Sequence, residues 1–275
     1  MSAVRAVRRR RWGHGRSGEW LLRVHAGLVY LFLYAPIAVL VVFSFNRSRL
    51  GVNLTGFTLQ WYAALAKNDR ILEAAWNSLV VAVVATLAST ALGTLTAFAF
   101  ARHRFAGKTF LEGLIYVPII LPEIIMGISL LVLFSSIGLR LGLLTVAIAH
   151  ITFSMSFVFV VVQARLHDFD RNLERAAMDL GADEWQTFWK VTFPLVFPGI
   201  LAGALLAFTL SVDDVIVTFF TTGPGATTLP LQVYSMVKFG VSPEINALST
   251  VMLAVTMSLI VLAERLQRRK ISGGL

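Results

Sequence analysis

Six long apolar runs are the feature that most constrains this 275-residue chain. Each run is long enough, as an α-helix, to cross a hydrocarbon core of about 30 Å. A backbone in lipid must satisfy its own hydrogen bonds, and an α-helix does so within one segment. The sequence therefore predicts an all-α integral membrane protein with six transmembrane helices. The runs cover approximately His25–Phe45, Ala75–Ala101, Phe110–Ser135, Leu143–Leu166, Phe197–Thr221 and Ile245–Ala263.

Composition agrees with the membrane class and excludes several kinds of functional site. Only 14% of the residues are charged, whereas a soluble domain carries about 25%. The chain has no cysteine, which excludes disulfides, a thiolate nucleophile and cysteine-ligated metal sites. The net charge of +9 comes from basic residues at the ends of apolar runs. It therefore reports membrane topology, and no nucleic-acid partner is expected.

Lysine and arginine are distributed unevenly between the two sides of the predicted bundle. If the N-terminus is cytoplasmic, eighteen of the twenty-four basic residues fall in inner segments. Cytoplasmic flanks retain positive charge during insertion, so both termini are predicted to be cytoplasmic. The basic head resembles a signal-peptide n-region, but the apolar run that follows is longer than an h-region and lacks an obvious cleavage site. We expect a cytoplasmic segment 1–24, a six-span region 25–266 and a cytoplasmic tail 267–275.

The longest polar stretch runs from Leu173 to Gly199, between the fourth and fifth apolar runs. Its pattern predicts two short helices around a turn, in which Gly181 ends the first helix and Asp183 caps the second. Pro194 and Pro198 are expected to close this unit. Aromatic and charged side chains share the second helix. The residues alone fit a docking surface for another protein and a linker lying against the bundle equally well.

The same stretch resembles the cytoplasmic E-A-A…G…L-P loop of the permease subunits of bacterial ABC importers. The matching positions are Ala176–Ala177, Asp179–Leu180–Gly181–Ala182, Phe188, Val191, Phe193–Pro194 and Pro198–Gly199. In that family the loop forms coupling helices that fit a groove of the ATP-hydrolysing subunit. The resemblance implies a type I ABC importer permease architecture, with a coupling loop over residues 166–196. The implied coupling residues are Glu174, Arg175, Ala176, Ala177, Asp179, Leu180, Gly181, Ala182, Trp185 and Phe188.

One position departs from the pattern of that family. The glutamate that usually precedes the paired alanines aligns with Arg175, since Glu174 lies one place earlier. The contact that this glutamate makes with the ATPase is therefore lost here or compensated by the partner.

Other segments are similar to the spermidine/putrescine, or polyamine, branch of that family, and in particular to its second permease subunit. They include "GFTLQWYAAL", "AAWNSLVVA", "LPEIIMGISLL" and the region Leu206–Thr250. The resemblance implies a translocation pathway for polyamines in a bacterial inner membrane. It also implies two ATPase subunits, a homologous second permease and an external substrate-binding protein. ATP and Mg²⁺ would be bound by the ATPase and no cofactor by this chain, which carries no G-x-x-x-x-G-K-[ST] loop.

Carboxylates inside apolar runs call for a function, because an Asp at a helix centre costs about 2.5–3.5 kcal/mol. Asp213 and Asp214 lie in the fifth run, and Glu123 follows Pro122 in the third. A carboxylate pairs with an ammonium group, and aromatic faces add cation–π attraction. The predicted substrate pathway therefore comprises Asp213, Asp214, Glu123, Thr218, Phe219 and Phe220.

These acidic residues leave alternatives open. At least one of Asp213 and Asp214 is expected to face the pathway, and the sequence does not say which. Both would instead be interfacial if water or the segment after Gly223 satisfied them. Glu123 either lines the pathway or bonds a neighbouring helix.

Several local features carry expectations of their own. Pro118 and Pro122 permit a kink in the third run. The small residues of "ATLASTALGT" permit close helix packing. The segment after Gly223 fits a partly buried, re-entrant cap. His150 is a lone histidine, expected to pack or to bond a helix and not to bind a metal. Trp61 belongs to a surface helix with interfacial anchors or to an ordinary loop.

Two other functional classes find little support in the sequence. A membrane enzyme would need a G-x-S-x-G or H-E-x-x-H motif or converging histidines, and none is present, so a non-catalytic subunit is expected. An ion-coupled carrier would show inverted repeats with interrupted helices in both halves.

Within the importer class, another organic cation, ferric iron or thiamine remains an alternative solute. Glu73 and Glu244 are loop residues or contacts for an incoming cation or a delivering protein.

Overall fold

The computed structural model describes residues 16–48, 53–238, 240 and 243–272, and the regular elements of this part of the chain are helices. The basic head up to residue 15, Arg49 and residues 273–275 lie outside the described residues. The elements are α1 Arg16–Ser44, α2 Gln60–Leu65, α3 Asp69–Arg102, α4 Lys108–Ile120, α5 Glu123–Ser136, α6 Leu143–His167, α7 Asn172–Asp179, α8 Glu184–Thr187, a π-helical turn Phe188–Thr192, α9 Phe193–Asp213, α10 Ile216–Thr221, α11 Leu229–Lys238 and α12 Pro243–Ser272.

Long apolar helices confirm the membrane class. Among the described residues, four helices are long and apolar enough to cross a membrane: Glu19–Ser44, Asp69–Arg102, Leu143–His167 and Glu184–Asp213. A fifth crossing results if α4 and α5 are counted together. Helix α12 covers the sixth predicted run, but its side chains from residue 259 onward lie outside the described part. The number of six spans therefore stays a prediction.

The chain divides into two compact units. The first comprises the described residues of Met1–Leu65 and Ser242–Leu275, and the second those of Ala66–Val241. In the first unit, α12 packs against α1 and α2. The short helix α2 confirms the helical alternative for this segment. Trp61 is buried and donates its Nε1–H to Asn46 O at 2.8 Å, so this side chain is not the exposed interfacial anchor that the helical alternative included.

Three helices, α3, α6 and α9, pack on one another to form the centre of the second unit. Small residues on one face of α3 make this packing close, as the sequence predicted. Ser89, Gly93 and Ala97 follow one another at every fourth position, and all three are buried. At Gly93 an added Cβ would lie 2.8 Å from Val158 Cβ and 2.9 Å from Met155 O on α6.

Adding one methyl group between α3 and α6 is expected to separate them. Gly93→Ala should destabilise the detergent-solubilised protein by about 1–3 kcal/mol, because the nearby backbone oxygen cannot move away by a side-chain rotation. Thermal unfolding would measure the effect. Gly113→Ala on α4 is the matched control, since in the described part of the chain nothing lies within 4 Å of its added Cβ. Equal melting temperatures for both variants would contradict the close packing.

The third predicted run is sharply broken. Helices α4 and α5 meet at 111°, with Pro122 at the N-terminal cap of α5 and Pro118 inside α4. A proline supplies no N–H for the helical ladder and disfavours the helical conformation of the residue before it. The kink expected from the prolines is confirmed, and it is large enough that this run is not one straight helix.

The segment between α9 and α12 forms the partly buried cap expected from the sequence. Thr145 Oγ1 on α6 donates to Thr221 O at 2.7 Å, and Asn77 Nδ2 on α3 donates to Gly225 O and Thr227 O at 3.1 Å. These polar side chains satisfy cap carbonyls that no helix satisfies. At Gly223 an added Cβ would lie 2.0 Å from Leu141 O, so the cap requires glycine there.

Candidate functional site

The coupling loop has the helix–turn–helix form that its residues predicted. Helix α7 ends at Asp179, and Gly181 follows with a φ of +94°, a left-handed conformation that favours glycine. Asp183 caps α8, because its Oδ1 accepts the backbone N–H of Gln186 at 2.7 Å. The turn therefore rests on local chemistry that the sequence shows directly.

The expectation that Pro194 and Pro198 close this unit was wrong. Helix α8 continues through the π-helical turn Phe188–Thr192 into α9, and Glu184–Asp213 forms one helix of 30 residues. The Phe193 N–H donates to Phe188 O, five residues back. Such a π-helical turn shifts the hydrogen-bond register locally, which accommodates the missing N–H of Pro194 without ending the helix. The second of the two predicted coupling helices is thus an extension of the fifth predicted span.

The ten predicted coupling residues divide into an exposed and an inward set. Leu180 is 90% exposed and Trp185 is 71% exposed. Large exposed apolar side chains on a short charged loop are typical of a protein contact surface. The exposed set is Arg175, Ala176, Asp179, Leu180, Gly181 and Trp185, and the half-buried set is Glu174, Ala177, Ala182 and Phe188.

Two of the inward residues attach the coupling loop to α3. The Glu174 carboxylate accepts hydrogen bonds from Arg102 at the end of α3 and from the hydroxyl of Thr192 in the π-helical turn. The Phe188 ring lies edge-on to Phe98 of α3, with centroids 5.5 Å apart. Glu174 therefore has partners within this chain, and Arg175, at the usual glutamate position of the loop, is the exposed one.

The second site lies where α9 ends and α10 begins, at residues 214 and 215, called here the α9–α10 break. Asp214 has an extended backbone (φ −66°, ψ 129°), and its carboxylate caps α10. Oδ1 accepts the N–H of Val217 at 3.2 Å, and Oδ2 accepts both the N–H and the hydroxyl of Thr218 at 2.8 Å. The predicted fifth run is thus broken at Asp214, and this carboxylate satisfies N–H groups that the break leaves without helical partners.

The structure distributes the six predicted pathway residues between the interior and the surface of the chain. Asp213, Glu123 and Phe219 are exposed. Asp214 is 9% exposed and Thr218 is fully buried. Phe220 is half-buried and packs on Gly127 of α5, where an added Cβ would lie 2.6 Å from the ring. The neighbouring acids Asp213 and Asp214 therefore occupy different environments.

His150 joins this site through contacts that the sequence analysis missed. Its Nδ1 lies 2.7 Å from Ser211 Oγ, and its Nε2 lies 2.9 Å from Thr218 Oγ1 and 3.3 Å from Asp214 Oδ2. The expected helix-bonding role of His150 is confirmed, but its partners lie more than sixty positions away and no local motif announces them. Within the described part of the chain, no group of three or more His, Asp or Glu residues could hold a metal ion.

Comparison with known proteins identifies the family. The family model "Binding-protein-dependent transport system inner membrane component" matches residues 89–270. The chain belongs to this family. Transport, and not catalysis, is the class of function that such components serve, and the expected inner-membrane localisation follows from the same match. The orientation of the termini stays a prediction.

Individual relatives and one solved structure agree with this family. The chain is 47% identical over 245 residues to the spermidine/putrescine transport system permease protein PotC of Escherichia coli K12, covering 89% of this chain and 93% of that protein. It is 43% identical over 233 residues to the putrescine transport system permease protein PotI of the same strain, covering 82% and 83%.

The fold also matches a chain in the crystal structure of a bacterial alginate ABC transporter in complex with an alginate pentasaccharide-bound periplasmic protein. The TM-score is 0.69 at 18% identity, with 93% of this chain and 96% of that chain covered. At this identity the match establishes the fold of an ABC transporter chain, and this agrees with the predicted permease architecture.

Proposed function

We propose that this family member is the transmembrane permease subunit of an ATP-driven importer for polyamines such as spermidine and putrescine. The observation that carries the proposal is the 47% identity to a spermidine/putrescine permease, since it covers 89% of this chain. The exposed carboxylate of Asp213 at the α9–α10 break supports a cationic solute, because an ammonium group pairs with a carboxylate.

The proposed complex contains two ATPase subunits, a homologous second permease and an external substrate-binding protein. ATP and Mg²⁺ bind to the ATPase subunits, and this chain binds neither. Both termini and the coupling loop lie in the cytoplasm. The exposed Leu180 and Trp185 contact the ATPase, where burial of their apolar surface stabilises the complex.

Coupling between the two sites is mechanical in this proposal. The helix Glu184–Asp213 is about 45 Å long at 1.5 Å per residue, and it joins the coupling loop to the α9–α10 break without an intervening linker. Glu174 and Phe188 attach the loop to α3. A movement of the ATPase would therefore displace α3 and the helix Glu184–Asp213 together. Rigid-body rocking of packed helices is the motion that such an arrangement favours.

Asp213 and Glu123 are the acids that would meet the solute. Both are exposed on this chain, and a carboxylate facing lipid would be costly. Each therefore faces water or a partner within the membrane. The exposed ring of Phe219 adds cation–π attraction for an ammonium group, while Asp214 and Thr218 shape the break between Asp213 and Phe219.

Uptake of radiolabelled putrescine and spermidine by proteoliposomes tests the proposal. The vesicles contain this chain with its ATPase, sister permease and binding protein, with or without internal ATP. We expect ATP-dependent accumulation of at least one amine. If neither amine accumulates while the complex still hydrolyses ATP, the polyamine assignment is wrong, and other organic cations, ferric iron and thiamine would be tested next.

A further inference from the structure

A single imidazole ring contacts both sides of the α9–α10 break. His150 lies on α6 and is fully buried. Its Nδ1 is 2.7 Å from Ser211 Oγ on α9, and its Nε2 is 2.9 Å from Thr218 Oγ1 on α10. Asp214 Oδ2, in the break itself, lies 3.3 Å from the same Nε2. Because the ring is planar and rigid, it fixes the separation between the end of α9 and the start of α10.

The hydrogen-bond partners determine which ring nitrogen carries a proton. Thr218 Oγ1 donates its one proton to Asp214 Oδ2 at 2.8 Å, so it offers only lone pairs to the imidazole. The ionised carboxylate of Asp214 is also only an acceptor. Nε2 therefore carries the N–H, and in the neutral ring Nδ1 accepts the Ser211 hydroxyl proton. With these assignments each polar side chain of the cluster has a partner.

The surroundings of this cluster make its hydrogen bonds matter. Buried apolar side chains of α5, α6 and α10 form a core cluster beside it, comprising Met126, Leu130, Phe134, Ala149, Phe153 and Val217. The Phe153 ring lies 5.3 Å from the imidazole, centroid to centroid. In a site of low polarity, a polar group that loses its hydrogen-bond partner destabilises the fold strongly, because little water is present to take the place of that partner. Loss of the ring would leave Asp214 with the cap of α10 alone.

We infer that His150 is a positioning residue of the permease: it locks the α9–α10 break and thereby directs Asp213 out of the protein interior. Asp213 directly precedes the locked Asp214 and is exposed. The inference deepens the proposed function and rests on it, because the role of Asp213 in the pathway belongs to that proposal. The lock itself is a statement about this chain and can be tested without transport.

Cysteine accessibility tests the lock directly, since the chain has no cysteine of its own. Val217→Cys places a thiol on α10 at a position that is 1% exposed. In the assembled complex this thiol is expected to react slowly with a water-soluble maleimide. Adding His150→Leu, which keeps the approximate volume but removes both ring nitrogens, should raise the labelling rate about tenfold, as expected when a buried hydrogen-bonded charge loses a partner. His150→Gln keeps an N–H donor and should give a smaller increase.

A matched control separates local opening from general loosening. Val162→Cys lies on the same helix as His150 and is fully buried in a different core cluster. Its labelling should stay slow with either residue at position 150. Unchanged labelling at position 217 would overturn the inference, and so would equal acceleration at positions 162 and 217, because the effect would then be general destabilisation.

Transport supplies the readout that distinguishes positioning from stability alone. In reconstituted vesicles, His150→Leu should raise the KM for the transported polyamine about tenfold, with a smaller change in maximal uptake, because a displaced Asp213 weakens solute binding. A lower maximal rate with an unchanged KM would show that His150 acts only in packing. If the unaltered complex transports no polyamine, the proposed function fails, while the labelling rates still decide the lock.

Discussion

Asp213→Asn is expected to reduce polyamine uptake by about tenfold or more while the complex still assembles, because the ammonium group of the solute loses a charged hydrogen-bond partner that contributes about 1.5–3 kcal/mol. The exposed position of Asp213 means that the change removes a charge without disturbing buried hydrogen bonds. Initial rates of uptake in proteoliposomes, measured over a range of putrescine and spermidine concentrations, check the result. Unchanged kinetics for both amines would remove Asp213 from the pathway.

The substitution Asp214→Asn at the neighbouring position is the control, and it is expected to reduce the stability of the protein. The carboxylate accepts hydrogen bonds from two backbone N–H groups and one hydroxyl, and an amide nitrogen at either oxygen position would oppose donors. We expect loss of thermal stability of about 1–3 kcal/mol and reduced recovery of the assembled complex. Normal stability of this variant would show that the cap of α10 does not depend on the charge.

Gly181→Phe is expected to uncouple the ATPase from transport. The φ of +94° is costly for a residue with a Cβ, by about 1–2 kcal/mol. No described residue of this chain lies within 4 Å of the added Cβ, so a phenyl ring would project into the space that the ATPase is proposed to occupy. Uptake should fall by about tenfold or more, as for a disrupted interface centre, while ATP hydrolysis continues.

Gly138 offers a control with the same backbone requirement at a different place. It has a φ of +69° between α5 and α6, and no atom of the residues that the structure describes lies within 4 Å of an added Cβ. The charge bias predicts that this connection lies on the outer side. Gly138→Phe should reproduce the backbone strain without affecting coupling. Uptake and ATP hydrolysis are measured together in the same vesicles. Equal losses of uptake in the two variants would remove the special role of Gly181.

Features that depend on neighbouring residues could be predicted from the sequence. The turn at Gly181 and the cap at Asp183 follow from short-range backbone chemistry, and the kink at Pro122 follows from its missing N–H. The buried face of α3 follows from the small residues Ser89, Gly93 and Ala97, which are spaced four positions apart. In each case the residues that decide the conformation lie within two helical turns of one another.

Two features could not be predicted, the course of the helix at the prolines and the different environments of the adjacent acids. The two prolines after Trp189 are typical of a helix end, and only the π-helical turn reveals that the helix passes through them. The roles of Asp213 and Asp214 cannot be separated by their identical side chains. They separate because Asp214 meets His150 of α6, 64 positions earlier along the chain, and the sequence gives no sign of that contact.

The division of labour between the two adjacent acids bears on how such permeases could diverge. Asp214 supports the structure of the break. Most substitutions at this position are therefore expected to cause misfolding before they could change solute preference. Asp213, Glu123 and Phe219 are exposed on this chain, and substitutions there are not subject to the same structural constraint. In the proposed pathway, solute preference can therefore change through these exposed positions while the buried hydrogen bonds of the break stay the same.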